Sequence, residues 1–325
     1  MALTVRQEDL ASLHNDWAAL LERTPDPAPF FHPTWARVWL DEFANGREPL
    51  LLAARDGEAL VGVAPLLREG DKLSFVGHYS ICDYMDFVLE PARAREAVTA
   101  LFAALPDGWS EMELRGLRDS SATLAELPSI AQASGITLER HDEAIAPCID
   151  LPATWDEYVS SLGKKDRHEL RRKMRRVQAA GEVELHCYTS PDEVEEHLPV
   201  LLRLMVESRS DKAQFMSEQM GRFFHRMAQA MSREGLVRLY ELELDTKPAA
   251  AVLCFDQGGR YYLYNSGYDP DLSGLAVGIV SKALCLQGAI EAKRTRFDFL
   301  RGHESYKYDL GGRDQQISRV LLRCP

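Results

Sequence analysis

The chain has 325 residues, 46% hydrophobic and 27% charged, with a formal net charge of -12. That balance excludes a disordered, fibrous or membrane-spanning chain, and the acidic surplus argues against general nucleic-acid binding. The length exceeds the roughly 250–300 residues at which one core stops growing, so two domains are expected.

No apolar run approaches the roughly 20 residues that cross a bilayer, and "MALTVRQEDLASLHNDW" lacks the basic end and apolar stretch of a signal peptide. A cytoplasmic protein with no membrane span is expected. The six cysteines are scattered without a C-x-x-C pair and read as reduced, small core residues. No His, Cys and carboxylate cluster has zinc spacing, the nearest being "HYSICDYMD" at 78–86, so no metal is expected.

In chain order, "PFFHPTWARVWLDEF" opens with Phe30 and Phe31 and sets Trp35 and Trp39 one helical turn apart, which favours a packed helix over acceptor contact. "LLLAARDGEALVGVAPLL" (50–67) reads as two strands joined at Asp56 and Gly57. A strand "KLSFVGH" (72–78) follows, then "CDYMDF", whose Asp83 and Asp86 are candidates to hold an acceptor amine. A helix from about Ala92 to Leu105 and a strand "MELRG" (112–116) complete the first half. Pro147 and Pro152 mark the boundary, giving domains 1–146 and 147–325.

The second half begins with the basic segment "GKKDRHELRRKMRRVQAAG" (163–181). Leu170, Met174 and Val177 form an i, i+4, i+7 stripe, so the segment predicts a helix with a cationic outer face. That face is either simply solvated or a site for phosphates, with Arg171 and Arg175 as candidate contacts. Helices are expected at about 191–209 and 217–233. Then come a hairpin "LYELELDTKPAAAVLCF" (239–255) turning at Asp245, a strand "RYYLYNSGY" (260–268), a helix from about Val277 to Ala292 and a strand "FDFLRG" (297–302).

The halves rhyme. Asp56 to Asp245 is 189 residues and Gly116 to Gly302 is 186, and each half runs hairpin, strand, helix, strand. Near-equal offsets predict a duplication, and each crossover predicts a parallel neighbour in a mixed sheet. The halves differ at the crossover helix. The first enters it with "LEPARAREAV", the second with "DPDLSGLAVGIVSKAL", where Gly274 and Gly278 bracket a helix start suited to an anion such as pyrophosphate. A glycine turn with close helix-to-sheet packing is the competing account, and both stay open on the residues alone.

The second half resembles the GNAT acyltransferase fold. The phosphate-binding signature is approximated by Asp271, Gly274 and Ala276, with Asp271 standing where Gln or Arg is usual. The run from "RLYELELDTKPAAAVLCF" through "GRYYLYNSGYDPDLSGLAVGIV" to "RFDFLRGHESYKYDLGG" resembles the acetyltransferase family associated with bacterial cellulose biosynthesis (CelD or BcsL type). That family is related to the FemAB peptidyltransferases, which are built from two GNAT-like domains. The resemblance covers most of 155–312 and, more weakly, parts of the first half. It implies an α/β (α+β) fold of two tandem GNAT-like domains, each a mixed, mainly antiparallel sheet flanked by helices. It departs at His303, where members often have Asp or Asn, and at Tyr308-Asp309, where Arg-Trp is frequent.

The resemblance further implies an acetyl-CoA or other acyl-CoA cosubstrate, held by Gly274, Leu275, Ala276, Val277 and Gly278, with backbone near Asn265 and Ser266 facing the acyl oxygen. Acyl transfer to an amine needs a base, an oxyanion donor and a proton for the departing thiolate. Glu304 is the first choice of base and His303 the second, Tyr306 the proton donor, and Lys307 a contact for an anionic group. If 303–308 is a helical turn, His303 and Lys307 share a face, as do Glu304 and Tyr308. If it is extended, Glu304, Tyr306 and Tyr308 point together. The acceptor is expected to be a small-molecule or sugar-linked amine. The alternatives are a FemAB-like transferase using charged tRNA docked on the basic helix, and a non-catalytic accessory protein of polysaccharide biosynthesis.

Overall fold

The computed structural model describes residues 3–208 and 210–324. They form two compact units, one of residues 1–145 with 315–325 and one of residues 146–314.

The first unit runs β1 (Thr4–Gln7), α1 (Leu10–Glu22), α2 (Pro33–Phe43), β2 (Glu48–Asp56), β3 (Ala59–Glu69), β4 (Lys72–Phe75), β5 (Val88–Leu89), α3 (Ala94–Ala103), β6 (Glu111–Arg118), α4 (Ala122–Ser134) and β7 (Thr137–Ile145). The expected hairpin turns at Asp56–Gly57, where Gly57 supplies φ +60°. Trp35 and Trp39 are 1% and 0% exposed, so the aromatic helix α2 is core. Gly116 sits in β6 at φ +75°, and a Cβ there would lie 2.9 Å from the Met85 nitrogen. The bare backbone thus lets residues 83–86 lie directly against β6, with the Met85 N–H donating to the Gly116 carbonyl at 3.2 Å.

The second unit runs β8 (Cys148–Asp150), α5 (Trp155–Ser161), α6 (Lys164–Gln178), β9 (Val183–Tyr188), α7 (Pro191–Ser208), α8 (Ser210–Phe215), α9 (Glu218–Arg233), β10 (Val237–Leu244), β11 (Lys247–Gln257), β12 (Arg260–Tyr268), α10 (Val277–Glu291), β13 (Arg296–Asp298) and α11 (Ser305–Asp309). Its six-stranded sheet has the order β8-β13-β12-β11-β10-β9. The hairpin turn carries positive φ at both Asp245 (50°) and Thr246 (62°), the geometry whose twist matches flanking strands. Because successive strand residues face opposite ways, β11 packs both sides. Val252 and Cys254 join Ala283, Cys285 and Leu286 of α10, while Phe255 meets Tyr264, which in turn meets Phe224 of α9.

The internal repeat is present in the topology. Hairpin, strand, helix, strand recurs as β2-β3-β4-α3-β6 and β10-β11-β12-α10-β13, and the closing pairs β4/β6 and β12/β13 are both parallel. The end of the chain departs from the expectation that 147–325 form one domain. The last strand, β14 (Gln316–Arg323), lies between β6 and β7 in the first unit's sheet, antiparallel to both. That sheet therefore has the order β1-β2-β3-β4-β6-β14-β7, with β5 beside β3. "QISRVLLR" carries a strand pattern but nothing in it names a partner over a hundred residues upstream.

Candidate active site

In the second unit β12 and β13 pair only from Arg260/Arg296 to Tyr262/Asp298. The sequence predicts a strand over 297–302, but Asp298, 2% exposed, accepts the Leu300 N–H at 2.8 Å and turns the chain. Leu300 takes φ +59° and Gly302 φ +117°. On the other side, the β11/β12 ladder shifts register between Leu253 and Cys254, leaving Tyr264 as the extra residue. The parallel ladder ends and the two strands part, which opens a site at the strand ends where crossover folds commonly bind ligands.

The segment after β13 is folded around Lys307. This side chain is 2% exposed, and its Nζ donates to the carbonyls of Leu300 (2.9 Å), Arg301 (2.6 Å) and Gly302 (3.2 Å) and pairs with Glu304 at 3.0 Å. The expectation that Lys307 faces an anionic group of donor or acceptor is corrected here: its side chain is buried, and these four contacts are all with this loop's own acceptors. Gly302 permits the arrangement, since a Cβ there would lie 2.3 Å from Oε2 of Glu304. The helical alternative for 303–308 holds from Ser305 onward, with Glu304 at the N-cap position. His303 lies before that helix and is exposed, so it does not share a helical face with Lys307. The observed pair is Glu304 with Lys307, at i, i+3. Glu304 keeps 42% of its side chain exposed.

Tyr306 packs on the core cluster, edge-on to Phe299 at 6.2 Å between ring centroids. Lys282 of α10, a residue the sequence reading passed over, joins it to the helix start. Its Nζ lies 5.0 Å from the Tyr306 ring centroid and donates to the Gly278 carbonyl at 2.8 Å. Lys282 is only 7% exposed, and a lysine inside an apolar helical run gives no sign in sequence of which way its ammonium turns. Tyr308, in contrast, is exposed and donates to Asp314 at 2.7 Å.

The entry to α10 has the properties sought for an anion. A 3₁₀ turn, Pro270–Leu275, leads to Ala276 in the left-handed region (φ 63°), and no side chain caps the helix. The first-turn N–H groups of a helix have no intrahelical carbonyl, so Val277 and Gly278 present donors at the positive end of its dipole. The two glycines have different reasons. A Cβ on Gly278 would lie 2.9 Å from Cδ1 of Tyr268, so this glycine seats α10 on β12, whereas a Cβ on Gly274 would meet nothing within 4 Å. The cradle fits a phosphate-bearing cosubstrate such as acyl-CoA, while the exposed Asp271 is the one element of the signature with the wrong charge.

Around Asn265 and Ser266 the backbone is partly committed. The Ser266 N–H donates to Asn265 Oδ1 at 3.0 Å, and Lys212 of α8 donates to Asn265 Oδ1 at 2.9 Å and to the Ser266 carbonyl. The expectation that these N–H groups face an acyl oxygen is therefore corrected for Ser266. Gly267 serves packing: a Cβ there would lie 2.3 Å from the backbone of Leu204 and Met205, so α7 crosses β12 in contact with it.

The basic segment is the helix α6, with Leu170 and Val177 buried and Met174 packed on both clusters, as its stripe predicts. It packs against α10 and the 3₁₀ turn before it, where Val177 and Met174 share a cluster with Leu272, Leu275 and Val277. Arg172 and Lys173 pair with Glu169, and Arg172 holds the Glu169 carboxyl down to about 2. Lys164, Lys165, Arg171, Arg175 and Arg176 make no ion pair among the described residues. A cationic face thus borders the entry to α10.

Asp83 and Asp86 belong to the first unit. The sequence candidates thereby divide: those from 265 to 308, with α6, share the second unit, and the two aspartates do not. In the segment 78–86, His78 Nδ1 meets Ser80 Oγ at 2.6 Å and Cys82 Sγ accepts from Trp35 at 3.3 Å. Among the described residues three metal-type side chains do approach one another elsewhere, Glu184, His186 and Glu243, with ligand atoms within 4.8 Å on the β9/β10 surface. No helix is long and apolar enough to cross a membrane among the described residues.

Residues 164–308 match the family model described as an acetyltransferase (GNAT) domain. The match runs from the basic helix through α11 and so takes in the cradle, the parted strands and the Lys307 loop. No curated protein matches the chain in sequence. Among solved structures the chain is similar to FemX, with a TM-score of 0.68 at 12% identity, covering 98% of this chain and 96% of that one. It is similar to L-PGS from Bacillus licheniformis, with a TM-score of 0.59 at 12% identity and coverages of 94% and 90%. A tandem GNAT protein from the clavulanic acid biosynthesis pathway gives a TM-score of 0.51 at 14% identity, with 99% of each chain covered. The fold is the mixed α/β, tandem GNAT-like architecture, and the stretch that matches the GNAT acetyltransferase model lies within its second unit.

Proposed function

We propose that the protein is an N-acyltransferase that passes an acetyl or other acyl group from acyl-CoA to an amine on a small or sugar-linked acceptor. One observation carries the reading: the uncapped start of α10 stands beside the parted strands β12 and β13, and Lys282 ties that start to Tyr306. The diphosphate of the cosubstrate would rest on the Val277 and Gly278 N–H groups, with the cations of α6 offsetting Asp271.

In the transfer the amine nitrogen bonds to the thioester carbonyl carbon and the C–S bond breaks. Glu304, exposed at the loop surface, takes one proton from the ammonium, Tyr306 protonates the departing thiolate, and the second proton lost by the nitrogen restores the Tyr306 hydroxyl. His303 is the alternative base. The resemblance to the family associated with bacterial cellulose biosynthesis favours a sugar-linked acceptor.

Acyl-CoA binding by calorimetry, and thiol release with a panel of amines, test this. Saturable binding and a more than tenfold lower kcat in Glu304→Gln are expected, at a temperature where circular dichroism shows that variant still folded. No acyl-CoA binding by the folded protein would overturn the reading. A second reading, a transferase drawing on aminoacyl-tRNA, rests on the cations of α6 that make no ion pair among the described residues, Arg171 and Arg175 among them. It requires tRNA binding whose salt dependence flattens in Arg171→Gln/Arg175→Gln.

A further inference from the structure

The first unit has a cleft at the same topological place as the donor cradle of the second, between the end of β6 and the start of its crossover helix α3. A cavity of about 280 Å³ opens there, walled by Phe31, Phe87, Leu89 and Pro91, with Asp26, Asp86 and Arg118 as its charged groups. Everything that forms it lies within residues 24–122, inside one compact unit.

Its chemistry is unlike that of the second unit. The helix entry is a 3₁₀ turn beginning at Pro91, which has no N–H to offer, and the guanidinium of Arg93 in that turn is committed to Asp56 and Glu96. No phosphate cradle is present. Arg118, 6% exposed, is also spoken for: it pairs with Asp26 Oδ1 at 2.9 Å, and its guanidinium lies 5.3 Å from the Phe31 ring centroid and 4.7 Å from that of Tyr84. Asp86 accepts the Phe87 N–H at 2.8 Å and forms no ion pair among the described residues. Its other neighbours are the Ser121 and Thr123 hydroxyls, and burial pushes its carboxyl up against their effect and that of Arg118.

Two carboxylates therefore face one guanidinium in an apolar-walled pocket, and a carboxyl held there without a cation is costly. We propose that this pocket binds a small primary amine, its ammonium on Asp86 and its apolar body against Phe31, Phe87 and Leu89. The volume suits a body of a single ring or a short chain. The proposal does not depend on acyl transfer in the second unit.

The test is a ¹H–¹⁵N titration of the full chain with benzylamine, with phenylacetate and benzyl alcohol as probes of similar size. Benzylamine is expected to shift resonances of residues 86–94 and 118–122 and to bind at least tenfold tighter than phenylacetate. Asp86→Asn, nearly isosteric, is expected to weaken benzylamine at least tenfold, and Ala94→Leu to block it by filling the pocket. Acyl-CoA binding, measured on the same samples, should be unchanged in both variants. Absence of benzylamine shifts, equal binding of phenylacetate, or full affinity in Asp86→Asn would each overturn the proposal.

Discussion

Replacing Lys307 with Met separates a residue that builds the loop from one that merely borders it. The stem is retained, so burial of its methylenes changes little, and the perturbation is the loss of one ammonium from three carbonyls and Glu304. The Leu300 carbonyl is interior and would be left without its donor, at about 1–3 kcal/mol. The Arg301 and Gly302 carbonyls are partly open to water and would recover much of their loss. The ammonium's own burial cost, released in the variant, offsets part of the total. A net destabilisation of about 2–4 kcal/mol follows, and at roughly 2–4 °C per kcal/mol for a unit of this size Tm should fall by about 5–15 °C. Near-UV circular dichroism on heating measures it, and amide exchange of residues 299–310 should accelerate more than that of β11. A Tm within about 1 °C of the parent, with unchanged exchange, would refute the account of Lys307 as the loop's organising group.

Gly267→Ala should destabilise the second unit by about 3 kcal/mol in denaturant melts, because its Cβ meets the Leu204–Met205 backbone, which cannot rotate aside. Asp86→Asn should stabilise the ligand-free protein more at pH 8 than at pH 4. The folded-state carboxyl is raised above its unfolded value, so its favourable contribution exists at low pH and is lost as pH rises through the folded pKa, whereas Asn carries no such penalty. Arg118, Asp26, Ser121 and Thr123 are the groups that set the size of that difference. Deleting Gln316–Arg323 should unfold the first unit, which loses a strand paired on both sides, while amide protection in β10–β12 persists.

Much of this was legible in the residues. Asp56-Gly57 and Asp245 announced two hairpins, and the crossovers between them fixed two parallel pairs, because those signals are local and repeat at nearly equal offsets. The α6 stripe was legible for the same reason. Lys307 and Lys282 were not: a lysine reads as surface until the carbonyls that surround it are in place, and Leu300 gave no sign of a positive φ. Asp298 is what ends β13 early, through a bond of two residues' reach that a strand pattern conceals. Asp86 appeared as one acid of a polar loop, and only the bare backbone of Gly116 explains how that loop comes to lie against β6.

The position of β14 bears on how the chain is made. A ribosome releases the whole of residues 146–314 before the strand that completes the first sheet, so the second unit can close while β6 and β7 still expose unpaired edges to each other's flank. Those edges are hazards for mispairing until Gln316–Arg323 emerges. The first unit is thus the later of the two to complete its sheet.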